Sequence, residues 1–326
     1  MKKLWKVFAL VLAILMLCSC FAGCQQKSDE QGSDESAPKL KMVFFNQMAW
    51  IKEQFTVETS HGDCAYIELP SGESILVDTS TAYSTNYIVE ILQEMGVTKI
   101  DYYICSHLHQ DHTDGINAFA KHFGIKKAIW SGYGEGFTNA RSALRTAIGL
   151  YGMEEILVRA GDQLKIGDVT LDFLWPTDEA PSTGLSSDQQ KAMLNPYSLV
   201  FRLSYGDFSA LFTGDITIAT EPEIVKMYGD ALRSTLLKVA HHGLETSTSD
   251  EFVEAVSPKF AVCMGRGMQY GNNNNNVQIR FTKRLIPVYG TFSDGQITVE
   301  TDGKTCFVTS EYKGTGEYSL SWNVQE

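Results

Sequence analysis

Residues Ser106 to Gly115 read Ser-His-Leu-His-Gln-Asp-His-Thr-Asp-Gly and follow directly on the apolar run Tyr102-Tyr103-Ile104-Cys105. Four candidate metal ligands, His107, His109, Asp111 and His112, therefore fall within six positions at the end of a strand. Alternation sets His107 and His109 on one side of the extended segment, while Asp111 and His112 can turn back towards a second point. That layout suits two cations better than one. Imidazole with carboxylate favours zinc, with manganese or iron also compatible, and the lack of a thiolate argues against a closed structural zinc site.

A two-metal site needs further ligands, and two later segments offer them in the same setting. Phe208-Ser209-Ala210-Leu211-Phe212-Thr213 ends in Gly214-Asp215, and Leu236-Leu237-Lys238-Val239-Ala240 ends in His241-His242-Gly243. Asp215 can bridge two cations with its two oxygens, and either His241 or His242 can complete the second cation's ligands. Ser74-Ile75-Leu76-Val77 ends in Asp78, which reads either as a hydrogen-bond acceptor that orients a ligand histidine or as a capping or turn residue.

Further strand-like runs stand at 41–45, 64–69, 127–130, 169–173, 198–203, 260–263 and 296–300, many bounded by Gly, Pro or Asp. Helical segments fall between them. Tyr87, Ile88, Ile91, Leu92 and Met95 form one apolar face between Ser84 or Thr85 and Gly96, and 140–150, 221–228, 250–256 and 277–285 are further candidates. A helix is also expected to start at Thr113. Interleaved strands and helices indicate an α/β protein with two packed sheets covered by helices.

On these residues the chain resembles the metallo-β-lactamase-fold hydrolases. Asp78, the His107-x-His109-x-Asp111-His112 loop, Asp215 and His241-His242-Gly243 stand in that family's order. Gly62-Asp63-Cys64-Ala65-Tyr66-Ile67, Leu69-Pro70-Ser71-Gly72, Lys238-Val239-Ala240 with Ser247 nearby, and Asp294-Gly295-Gln296-Ile297-Thr298-Val299 resemble one subgroup, the hydrolase domain of the competence protein ComEC and related surface phosphodiesterases. The resemblance implies a four-layer αββα sandwich. Two departures stand out. The wider superfamily usually supplies another histidine between the metal loop and the bridging aspartate, yet here that stretch holds only His122, which reads as a surface helix residue. The subgroup's late Tyr-Gly-His-Pro phrase is replaced by Tyr270-Gly271 followed by Asn272 to Asn276. A di-iron branch of the fold carries a glutamate where this chain has His109, which favours hydrolysis.

The chain opens on Met1-Lys2-Lys3-Leu4-Trp5-Lys6 and an apolar stretch from Val7 to Leu17, the pattern of a secretory signal and too short for a comfortable membrane span. Phe21-Ala22-Gly23 before Cys24 resembles a bacterial lipoprotein cleavage site, so residues 1–24 are expected to be a lipoprotein signal, with Cys24 lipidated. Residues 25–40 then form a flexible tether and 41–326 the hydrolase domain, on the extracytoplasmic face of the cell membrane. Without Lys2, Lys3 and Lys6 the chain has 24 basic against 39 acidic residues, a net charge of −15. That balance disfavours strong nonspecific nucleic-acid binding and suits a small-molecule or small phosphodiester substrate. The domain cysteines Cys64, Cys105, Cys263 and Cys306 lie in apolar runs and read as small buried residues.

The resulting expectation is a lipid-anchored phosphodiesterase that uses a hydroxide bridging two zinc ions, with manganese an alternative metal. His107, His109 and Asp215 would hold one ion with water at a remaining position. Asp111, His112 and His241 would hold the other. Asp111 and His242 are the candidate catalytic groups, His242 contacting the phosphate or protonating the leaving group, and the two adjacent histidines are exchangeable in this scheme. Hydrolysis of a lactone, lactam or thioester on the same fold is the alternative, and a non-catalytic binding lipoprotein the third reading.

Overall fold

Many strands of this chain, such as those over 74–77, 208–212 and 260–263, are buried along their whole length, which dictates how its layers stack. The computed structural model describes residues 39–46, 62–134, 143–177, 184–265, 276–312 and 314–319. Its strands are β1 (Leu40–Phe44), β2 (Ala65–Glu68), β3 (Ser74–Val77), β4 (Ile100–Ile104), β5 (Ile125–Trp130), β6 (Glu154–Leu157), β7 (Gln163–Ile166), β8 (Val169–Trp175), β9 (Val200–Tyr205), β10 (Phe208–Phe212), β11 (Leu236–Lys238), β12 (Phe260–Cys263), β13 (Val288–Gly290), β14 (Ile297–Thr301), β15 (Thr305–Ser310) and β16 (Gly314–Ser319). One sheet runs β16-β15-β14-β1-β2-β3-β4-β5-β6 and the other β13-β12-β11-β10-β9-β8-β7.

Alternating side chains feed separate cores. In β4 Ile104 enters the core between the sheets while Tyr103 points outwards, and in β11 Leu236 and Leu237 divide the same way. The inner core sets Met42, Ile67 and Ile129 against Leu171, Phe201 and Val262, and the rings of Phe201 and Phe212 stack 4.8 Å apart. Each such buried side chain contributes about 1.5–3 kcal/mol.

Helices cover both outer faces. α1 (Ala82–Glu94), α2 (Gln110–Thr113), α3 (Ile116–Phe123), α4 (Ala143–Tyr151) and α5 (Ser187–Leu194) precede α6 (Glu221–Tyr228), α7 (Asp250–Val256), α8 (Asn276–Lys283) and α9 (Thr291–Asp294). Ile88, Leu92, Phe119 and Leu144 pack on the first sheet, and Ile224, Phe252, Val253 and Phe281 on the second. The architecture is the four-layer αββα sandwich.

All the strand-like runs named in the sequence form strands. Some helix boundaries shift by a few residues, and two differ in a way that the local contacts explain. α1 begins at Ala82, and Thr85 lies inside it, donating from Oγ1 back to Thr81 O at 2.8 Å. The helix expected from Thr113 is divided into α2 and α3 around Gly115, where an added Cβ would lie 2.3 Å from Thr79 O. α5 was not anticipated, although Ser186 and Gln189 form a capping box at its start, a pattern legible in sequence. The signal segment, the lipidation of Cys24 and nearly all of the tether lie outside the described residues. Among the described residues no helix is long and apolar enough to cross a membrane.

Candidate metal centre

Each sheet contains a parallel strand pair, β3 with β4 and β10 with β11, whose members leave the sheet on the same side. β3 is followed by Asp78, β4 by Ser106 and His107, β10 by Gly214 and Asp215, and β11 leads to His241 and His242. The two sheets are stitched together at this point. Leu199 N donates to Ser106 O across the sheets at 2.7 Å, and within the second sheet Asp215 N donates to Ser198 Oγ at 3.1 Å. Gly214 has φ +48, and a Cβ there would lie 2.8 Å from that of Ser198 and 3.0 Å from that of Ser106, so glycine is what permits the approach.

Hydrogen bonds fix which nitrogen each histidine offers. Asp78 accepts from Ser106 N at 2.8 Å, from Ser106 Oγ at 2.7 Å and from His112 Nδ1 at 2.8 Å. His112 Nε2 is thereby turned to Asp215 Oδ2, 3.2 Å away. With the Ser106 proton committed to Asp78, Ser106 Oγ accepts from His107 Nδ1 at 3.0 Å, leaving His107 Nε2 a lone pair. His109 Nε2 donates to Lys191 O, in α5, at 3.1 Å, so His109 Nδ1 is also a lone pair. These two nitrogens face each other at 3.0 Å.

The second group of donors meets the first at Asp215. His242 Nε2 lies 3.2 Å from Asp111 Oδ2 and 3.3 Å from Asp215 Oδ2, and the residue is 2% exposed. Asp63 stands behind the imidazoles, on their Nδ1 side: its Oδ1 is 3.2 Å from His242 Nδ1, and its Oδ2 is 4.0 Å from His112 Nδ1 and paired with Lys238 Nζ. Lys238 also donates to Gly214 O at 3.2 Å. His241 lies nearer the rim, with Nε2 4.0 Å from Asp215 Oδ2. Both histidines have left-handed backbone, φ 48 and 55, a conformation costing roughly 1–2 kcal/mol at a non-glycine residue. Ser247 Oγ, donating to Ala240 O at 2.8 Å, and Cys263 Sγ, donating to His242 O at 3.3 Å, hold this turn.

These donors fit a pair of cations. Asp63, His112, Asp215 and His242 offer atoms within 4.8 Å of one another. Asp63 nevertheless faces the Nδ1 edges and Lys238, so it orients rather than ligates, whereas Asp111 faces both Nε2 atoms. Asp215 Oδ1 is buried with no hydrogen-bond partner among the described residues, and two lone pairs at the His107–His109 separation repel unless a cation lies beside them. Burial, reinforced by the charge of His112, pushes the His107 imidazole well below its usual range and His109 below it too. Burial also opposes charge on His112 and His242, but Asp215 and its neighbouring carboxylates prevail and hold both well above the ordinary value. Asp111 is kept below the usual carboxylate range: its burial is outweighed by the charge of His112 and the hydrogen bond from His242.

Of the residues named from the sequence, His107, His109, Asp111, His112 and Asp215 converge here, with Asp78 behind His112. The order of the adjacent histidines, which the sequence leaves open, is set by the turn: His242 is the inner one and His241 the outer, because the left-handed backbone directs them to different depths. His122 is exposed on α3, beside Gln93 at 3.4 Å. Cys64, Cys105, Cys263 and Cys306 are buried and none is in a disulfide. Asp63, Lys238 and Asn195 were not assigned site roles. The pattern Gly62-Asp63-Cys64 was visible, but nothing in its spacing shows what Asp63 touches.

Fold and site together define a two-sheet metallohydrolase. Residues 58–266 match the family model described as the metallo-beta-lactamase superfamily, and the chain belongs to that superfamily. It is 26% identical over 261 residues to ComE operon protein 3 of Bacillus subtilis, an alignment covering 74% of this chain and 32% of that protein. It is 29% identical over 225 residues to the competence protein ComA of Neisseria gonorrhoeae, covering 68% of this chain and 28% of the relative. The chain thus spans about a third of the length of these relatives. Among solved structures, the metallo-beta-lactamase fold protein YhfI from Bacillus subtilis superposes with a TM-score of 0.50 at 12% identity, covering 81% of this chain and all of that one, a likeness of fold.

Proposed function

We propose that this superfamily member hydrolyses phosphodiesters outside the cell, held to the membrane by a lipid on Cys24. The observation that carries the reading is the position of Asp215 Oδ2, 3.2 Å from His112 Nε2, 3.3 Å from His242 Nε2 and 3.8 Å from His107 Nε2, where one carboxylate serves two groups of donors. Asp111, His112 and His242 would hold one cation and His107 and His109 the other, with Asp215 between them. The donor set suits zinc, with manganese the alternative. Bound there, the cations would supply Lewis-acid activation of water and neutralise charge on a phosphate.

The protein's own residues set the geometry. Asp78 and Asp63 fix the rings of His112 and His242, and the backbone carbonyl of Lys191 fixes His109. The sequence motifs that resemble the ComEC hydrolase domain and related surface phosphodiesterases support a phosphodiester, and the net charge of −15 after the signal supports a small one over long nucleic acid.

The test pairs a metal count with a substrate panel of bis-p-nitrophenyl phosphate, single-stranded DNA, an acyl lactone and nitrocefin. Phosphodiester turnover is expected to dominate and to fall by roughly 10³-fold or more in Asp215→Ala together with metal content. Faster turnover of nitrocefin or lactone, or an Asp215→Ala protein with both metals and full phosphodiesterase activity, would overturn the reading.

A further inference from the structure

On the side of His107 and His109 the donor set opens towards the end of α5, where two polar side chains stand that the reading above leaves unused. His241 Nε2 lies 4.0 Å from Asp215 Oδ2, a spacing matched by His107 Nε2 at 3.8 Å. Ligands each about 2.0–2.2 Å from one cation are separated by roughly 3–4 Å, so both imidazoles are within reach of a cation that Asp215 also holds. The other ring nitrogen, His241 Nδ1, is 3.0 Å from Thr246 Oγ1, which orients the ring.

Asn195 is the second group. It follows α5, and its carboxamide nitrogen is 3.1 Å from His241 Nε2. Its Oδ1 is buried and has no hydrogen-bond partner among the described residues. A half-turn of the carboxamide exchanges its two ends, which places the oxygen 3.1 Å from the imidazole nitrogen. An oxygen and a nitrogen acceptor at that separation match neighbouring ligands of one cation, as do His107 Nε2 and His109 Nδ1 at 3.0 Å.

Two consecutive left-handed residues point the same way. His241 (φ 48, ψ 49) and His242 (φ 55, ψ 16) adopt a conformation that non-glycine residues rarely take even singly, and with it both rings reach Asp215.

Resting on the metal-dependent reading above, we propose that His241 and Asn195 complete the ligands of the cation held by His107, His109 and Asp215, His241 through Nε2 and Asn195 through its carboxamide oxygen. Asn195 lies in the stretch between the metal loop and Asp215 whose one histidine, His122, sits on the exposed face of α3.

The experiment is a titration of the metal-stripped full-length protein with Mn²⁺ or Zn²⁺ alone, read by calorimetry and by metal content after desalting. Wild type is expected to take two equivalents. His241→Ala should keep one at unchanged affinity and lose the other by about 100-fold or more, and Asn195→Ala should weaken that same equivalent by about 10-fold or more, while Asn195→Asp retains two. Unfolding midpoints without metal identify any variant that fails to fold. Two equivalents at wild-type affinity in both alanine variants would overturn the assignment. Because no substrate enters the measurement, a failure of phosphodiester turnover in the panel leaves this result standing, whereas a wild-type protein that takes a single equivalent overturns both.

Discussion

Lys238 and Asp63 form an ion pair with both side chains buried, directly behind the imidazole of His242. Asp63 is kept ionised there: its burial is outweighed by the charges of Lys238 and His242. Removing one partner leaves the other as an uncompensated buried charge. Lys238→Met is therefore expected to cost about 3–5 kcal/mol in urea unfolding, and the double variant Asp63→Asn/Lys238→Met to cost less than the sum of its single changes. A Lys238→Met protein within 1 kcal/mol or so of wild type would show that the pair is not a stabilising unit.

Asp78 acts on the metals through His112 and Ser106. Asp78→Asn preserves shape but removes the charge that accepts three hydrogen bonds, so the rings of His112 and His107 lose their fixed tautomers. Metal affinity should fall about 10- to 100-fold while the far-ultraviolet circular dichroism stays that of the wild type. Unchanged affinity would assign Asp78 to the turn alone.

Proton release should accompany metal uptake. In the metal-free protein His112 and His242 are held above the ordinary imidazole value, against their burial, by Asp215 with Asp111 and by Asp215 with Asp63 respectively. Groups raised in the folded state contribute stability that is complete below the unfolded value of about 6.5 and is lost as pH rises through the folded value. The stripped protein should accordingly lose stability as pH climbs above that point. Ligation needs neutral imidazoles, so metal binding at pH 7 should expel about one to two protons and tighten with rising pH. Calorimetry in buffers of different ionisation enthalpy measures this, and a buffer-independent heat would refute it.

Gly214 lets the loops of the two sheets meet. Gly214→Ala places a methyl group against Ser198 and Ser106 at a positive φ, so it should cost about 1–3 kcal/mol and weaken metal binding as well, by displacing Asp215 and His107. A variant with normal metal content and stability would mean that the junction is looser than its geometry indicates.

The metal loop from His107 to His112, Asp215 and the pair His241-His242 were all legible in the sequence, because each follows an apolar run and strand periodicity announces such runs. The same periodicity revealed most of the strands that build the inner core. It did not reveal β6, β7, β13, β15 and β16, or α5, whose own signal was a capping box at Ser186 rather than an apolar face.

What the sequence determined by itself was therefore the inventory: a strand-delivered ligand set, its order along the chain and the two-sheet class that could gather it. Which donors share a cation was decided only by tertiary structure. The depth of His242 against His241 depends on two left-handed backbone angles, and the side-chain partners of Asp63 and Asn195 named above lie 46 or more positions away along the chain. Spacing along a chain encodes the direction of a side chain while the backbone stays regular. At the turn after β11 it does not, and there the folded sheets choose.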